Sequence, residues 1–104
     1  MNEYERLLRQ AIVLRNMYPP GTRVECLCMN DPFAPVPSGT KGTVFHVDDL
    51  AQIHVNWDNG SFLALNRGED SFRKLSIQEV EAENSAAENQ DEAPEESSGI
   101  KMKM

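Results

Sequence analysis

The stretch Gln52–Leu65, Gln-Ile-His-Val-Asn-Trp-Asp-Asn-Gly-Ser-Phe-Leu-Ala-Leu, constrains the fold more than any other part of this 104-residue chain. Two runs rich in β-branched, aromatic and aliphatic residues flank Asp58-Asn59-Gly60, the composition of a tight hairpin turn. Successive strand residues point to opposite faces, so Ile53, Val55 and Trp57 share one face while His54 and Asn56 take the other. A two-residue Asn59-Gly60 loop would pair Trp57 with Phe62 and Val55 with Ala64, leaving Leu63 and Leu65 beside His54 and Asn56. A three-residue loop pairs Trp57 with Ser61, Val55 with Leu63 and Ile53 with Leu65. That gathers five apolar side chains on one face. A slip of one residue turns every side chain over, so burial selects the three-residue loop and predicts positive φ at Gly60. His54, Asn56, Phe62 and Ala64 then face away from the core. Phe62 is the one large aromatic on that face, either covered by the N-terminal helix or exposed to a partner.

Similar short runs extend the β pattern on both sides. Thr22–Met29 and Lys41–Val47 read as strands, separated by a proline-stiffened loop, Asn30–Thr40, that carries the lone aromatic Phe33. Arg67-Gly-Glu-Asp turns the chain into a last strand, Ser71–Leu75. Five short strands so closely spaced predict a small all-β barrel over residues 18–76.

Residues 1–17 read as a helix capped by Asn2, with Tyr4, Leu7, Leu8, Ala11, Ile12 and Leu14 as an apolar stripe. The stripe must pack on something, either the barrel or a second copy of the chain, so a homo-oligomer through this helix is an open alternative. Composition breaks near Leu75. Up to that point 8 Lys/Arg stand against 9 Asp/Glu, a net of −1; from Ser76 on, 2 stand against 8, a net of −6. Residues 77–104 are therefore expected to be an acidic tail, disordered from about Ala82, because so little apolar surface cannot offset the ordering entropy.

The motifs Tyr18-Pro-Pro-Gly-Thr-Arg-Val, Pro37-Ser-Gly-Thr-Lys-Gly-Thr-Val, Val47-Asp-Asp, Gln52-Ile-His-Val-Asn-Trp-Asp-Asn-Gly and Gly68-Glu-Asp-Ser-Phe carry a resemblance. The chain resembles, over roughly residues 18–75, a family of short bacterial and phage domains of unknown function that are similar to SH3-like barrels. The resemblance implies a mainly β, five-stranded SH3-like barrel in a phage or mobile-element setting, and it implies no activity.

The residues themselves argue for a binding module rather than an enzyme. Asp48-Asp49, Asp58 and Glu69-Asp70 each sit at a turn, where carboxylates satisfy backbone donors. His46 and His54 have no nucleophile placed beside them by any recognisable motif. Gly39-Thr-Lys-Gly-Thr invites a phosphate-cradle reading, against the simpler one of a turn entering a strand. Cys26 and Cys28 read as free thiols, which with no secretory leader points to a reducing cytoplasm; no metal or other cofactor is expected. No apolar run approaches the roughly 20 residues of a membrane span, and the positive charge is too scattered to neutralise a nucleic-acid backbone. A protein or peptide partner is the remaining expectation. Asp31, Phe33, His54, Asn56, Trp57 and Phe62 are the candidate contacts, with apolar area from the aromatics and direction from the polar groups. A small-molecule or nucleotide-binding role, such as a phage counter-defence factor, is the alternative.

Overall fold

The computed structural model describes residues 2–92, which fall into two units, residues 2–74 and residues 75–92. In the first, helix α1 (Glu3–Met17) precedes strands β1 (Arg23–Cys28), β2 (Lys41–Val47), β3 (Gln52–Trp57), β4 (Leu65–Asn66) and β5 (Ser71–Lys74). All neighbours pair antiparallel in the order β4-β3-β2-β1-β5. The sheet is open: no strand ladder joins β4 to β5 among the described residues. The Asp70 carboxylate spans the gap instead, accepting the Asn30 N–H just after β1 at 2.7 Å and the Asn66 N–H of β4 at 2.8 Å.

The hairpin takes the three-residue loop. Trp57 N–H donates to the Ser61 carbonyl at 3.1 Å, Gly60 N–H donates to the Trp57 carbonyl at 2.9 Å, and Gly60 has φ +92°. Ile53 lies opposite Leu65 as the packing argument requires. The returning strand, however, is only Leu65–Asn66 rather than Ser61–Leu65. Side chains replace the ladder in between: Asn59 Oδ1 accepts the Ser61 N–H and Ser61 Oγ accepts the Leu63 N–H. The Trp57 indole N–H donates to the Leu63 carbonyl at 2.9 Å.

The core is built from the inward faces of β1 to β4, with Val24, Val44, Ile53, Val55 and Leu65 fully buried. Two bulges interrupt the alternation. In β2 the register shifts between Val44 and His46, so Val44 and Val47 both point inward while Phe45 and His46 both face solvent. In β1 the shift falls between Cys26 and Cys28, which leaves Cys26 buried but Cys28 exposed, although unbroken alternation would place them on one face.

Helix α1 begins with a reciprocal capping box between Asn2 and Glu5 and ends at Tyr18. It docks on the sheet through Ala11 and Leu14, both fully buried, with Leu7 and Tyr18 packed alongside. Full burial of a leucine contributes about 1.5–3 kcal/mol, ample to hold a helix that is marginal alone. Arg15 pins its last turn, donating to the Val47 carbonyl at 2.9 Å and to Asp49 at 2.7 Å.

In the second unit Ile77–Glu92 is a helix, α2, where composition predicted disorder from about Ala82. The reason is local. Ser76 Oγ accepts the Glu79 N–H, and Glu79 Oε1 accepts the Ser76 N–H, a second capping box that starts a run rich in Ala, Glu and Gln. The expectation for residues 93–104 lies outside the described residues.

Candidate functional site

In an antiparallel meander the β1–β2 and β3–β4 connections emerge at one end of the sheet. Asp58 N–H donates to the Lys41 carbonyl at 2.8 Å, fixing the end of β3 beside the start of β2 at that end. Both connections there display an aromatic side chain.

The β1–β2 connection is a folded loop. Val36 turns inward and is buried, its N–H directed at Met29 Sδ and its carbonyl accepting the Cys26 thiol. Burial and the nearby carboxylate of Asp70 raise the Cys26 pKa, keeping that thiol protonated. Asp31 Oδ2 accepts the Ala34 N–H at 2.8 Å and closes a local turn. With Val36 as plug and Asp31 as turn, the backbone between them is held outward and Phe33 is 91% exposed. On the second connection Phe62 is 71% exposed and lies on the outward side of the hairpin, as the register requires.

Between the two loops the outer face of the sheet is polar and tightly paired. Arg23 makes a two-pronged contact with Asp58 at 3.0 and 2.9 Å and also donates to Thr43 Oγ1. The hydrogen bond from Arg23 holds the Asp58 carboxyl below its ordinary range despite partial burial. Asn56, exposed and opposite Thr43, sits on this face. Glu25 and Arg73 pair across β1 and β5 at 2.6 Å.

The six candidate residues are not all brought together. Asp31, Phe33 and Phe62 belong to the loop end, and Asn56 lies just below it on β3. Trp57 is only 4% exposed and its indole N–H is already used, so the expectation that it lines a contact surface is corrected: it is a core residue beneath that end. His54 lies toward the β2–β3 turn, where Nε2 meets Asp48 Oδ2 at 2.8 Å and the ring neighbours Phe45 and His46. Partial burial pushes the Asp48 carboxyl up, but hydrogen bonds from His54 and from the Gln52 and Leu50 N–H groups outweigh it and lower its pKa.

Two clefts escaped sequence reasoning. One, about 210 Å³, is lined by Arg15, Tyr18, Pro20, Phe45, His46 and Val47. It exists because the β2 bulge turns Phe45 outward; the Val44–Val47 spacing was the only signal. The other, about 450 Å³, lies between α1 and the β2–β3 turn, with Gln10, Gln52 and Asn66 among its lining. Ala51 beside it has φ +63°, a strained conformation for a non-glycine residue. The Gly39–Thr43 segment offers little to a phosphate, since Gly39 and Thr40 N–H groups donate to the Cys26 and Pro37 carbonyls.

A family model described as "Domain of unknown function (DUF4314)" matches residues 9–75. No curated protein and no solved structure matches the chain.

Proposed function

We propose that this chain, which belongs to that family of unknown function, is a non-catalytic module that recognises a protein or peptide segment at the loop end of an SH3-like barrel. The observation that carries the reading is the display of Phe33 and Phe62 on two loops at one end of the sheet. Neither ring contributes to the core, yet the loop that presents Phe33 is pinned from within by Val36 and Asp31. A rigid loop loses little entropy on binding, and exposed aromatic rings are typical energetic anchors of an interface. Asp31 and Asn56 add directional hydrogen bonds beside them. The strand order and the Asp70 bridge between Asn30 and Asn66 support the SH3-like reading. The resemblance supports a phage or mobile-element setting, and the free thiols Cys26 and Cys28 support a cytoplasmic one.

A random-peptide display selection on the purified chain, followed by fluorescence anisotropy, tests this. Selected peptides are expected to lose about tenfold in affinity for Phe33→Ala or Phe62→Ala, the cost of removing one aromatic anchor. Peptides that bind wild type and the double variant equally would refute it. A second reading, binding of a small molecule such as a nucleotide, is favoured by the 450 Å³ cleft and its side-chain amides. A thermal-shift panel of nucleotides separates the two, since a ligand at a hundred times its Kd adds about 2.7 kcal/mol.

A further inference from the structure

Helix α1 uses only part of its apolar surface on the sheet. At 3.6 residues per turn, Leu7, Ala11, Leu14 and Tyr18 cluster on the docked side, while Tyr4, Leu8 and Ile12 form a second ridge about a quarter-turn away. Leu8 is half-buried, and Tyr4 and Ile12 are 56% and 57% exposed. Glu5 and Arg9 stand one turn apart along the outer border of this ridge. Among the helix's arginines Arg6 pairs with Glu3 and Arg15 with Asp49, whereas Arg9 makes no ion pair with any described residue.

We infer that the Tyr4–Leu8–Ile12 ridge is the docking surface for a second copy of this chain, packed antiparallel with Glu5 of each copy facing the partner's Arg9. A two-fold interface requires a surface complementary to itself. With the axis beside Leu8, Tyr4 falls opposite the partner's Ile12, each four residues from the centre. Glu5 then lies within about 3 Å along the axis of the partner's Arg9, at 1.5 Å per residue, a gap these side chains easily span. A parallel two-fold pairing would instead place the Glu5–Arg9 borders of the two copies on opposite sides of the seam, where they form no pair with each other. The other exposed flank, Val13 and Met17, lacks this pattern, because Arg6 beside it is already neutralised by Glu3. Tyr4, Glu5 and Leu8 precede the stretch that matches the family model, and Arg9 and Ile12 fall within it. The surface is independent of the loop end.

Sedimentation equilibrium on the full chain tests the assignment. The mass is expected to rise with concentration from 11.7 kDa toward twice that value. Ile12→Lys, at an exposed position, is expected to leave a monomer with unchanged circular dichroism. Arg9→Glu and Glu5→Arg are each expected to weaken association at least tenfold. An equimolar mixture of those two is expected to restore it, since the mixed dimer regains both opposite-charge pairs. Should Glu5→Arg lose helix content with its capping contact, Glu5→Gln keeps the cap and is expected to weaken association less than Arg9→Glu does. A monomer at every concentration up to millimolar would overturn the proposal. So would a dimer indifferent to Ile12→Lys and Arg9→Glu, or a charge-swapped mixture that stays dissociated.

Discussion

Replacing Gly42 by alanine should damage this fold more than its chemical modesty suggests. An added methyl would lie 2.6 Å from Val55 Cγ1, 2.8 Å from Trp57 Cε3 and 2.9 Å from the Asn56 carbonyl oxygen. The first two atoms belong to buried side chains, and the third is strand backbone that pairs with β2. None is the free end of a flexible side chain. Overpacking of one methyl costs about 1–3 kcal/mol. If Trp57 moves to relieve it, the indole bond to the Leu63 carbonyl is lost, a further 0.5–1.5 kcal/mol or so. The expected destabilisation is about 2–4 kcal/mol, a large part of the roughly 5–15 kcal/mol available to a small domain. Urea unfolding followed by the fluorescence of Trp57, the chain's one tryptophan, should show a lower midpoint with an unchanged slope. Heating should lower Tm by roughly 10–30 °C. Gly68→Ala is the control: only Asn66 Oδ1 lies near, at 3.6 Å, and its φ is not positive, so it should change stability by less than about 1 kcal/mol. A Gly42→Ala cost no larger than that of Gly68→Ala would refute the close packing of β2 on Trp57.

Three other outcomes follow from the same geometry. Under native conditions Cys28 should alkylate readily while Cys26 is protected by burial and its raised pKa; mass spectrometry should find both modified only after unfolding. Because the Asp48 carboxyl is held below its ordinary value of 3.8, it contributes stability above about pH 4 that is lost as pH falls through the folded value. Asp48→Asn should therefore be less stable than wild type at neutral pH, with the gap closing in acid, as read by urea midpoints against pH. Ser76→Ala removes the cap of α2 and should cost about 0.5–2 kcal/mol of that helix, visible as lost ellipticity near 222 nm in a wild-type-minus-variant difference.

The parts of this structure that were legible in the sequence are those with one buried face and one solvated face. The register at Ile53–Leu65 and the bulged Gly60 follow from burying Ile53, Val55 and Trp57 together. The bends at Phe45 and Leu27 were not legible, because strict alternation fits those runs nearly as well and only tertiary packing selects the shift. Those shifts turn Phe45 toward its cleft and Cys28 outward. Trp57 was credited with a surface role that its burial denies it. The Asp70 bridge joins residues forty apart in sequence, and no local pattern could announce it. For α2 the signal lies in Ser76-Ile-Gln-Glu79, a capping box that net charge and low hydropathy mask.

Backbone amide chemical shifts during titration with a selected peptide test the central claim most directly. Recognition at the loop end predicts the largest changes at Asp31–Val36 and Asn59–Ala64, with smaller ones at Asn56. Changes confined to α1, or to the cleft lined by Gln10, Gln52 and Asn66, would contradict it.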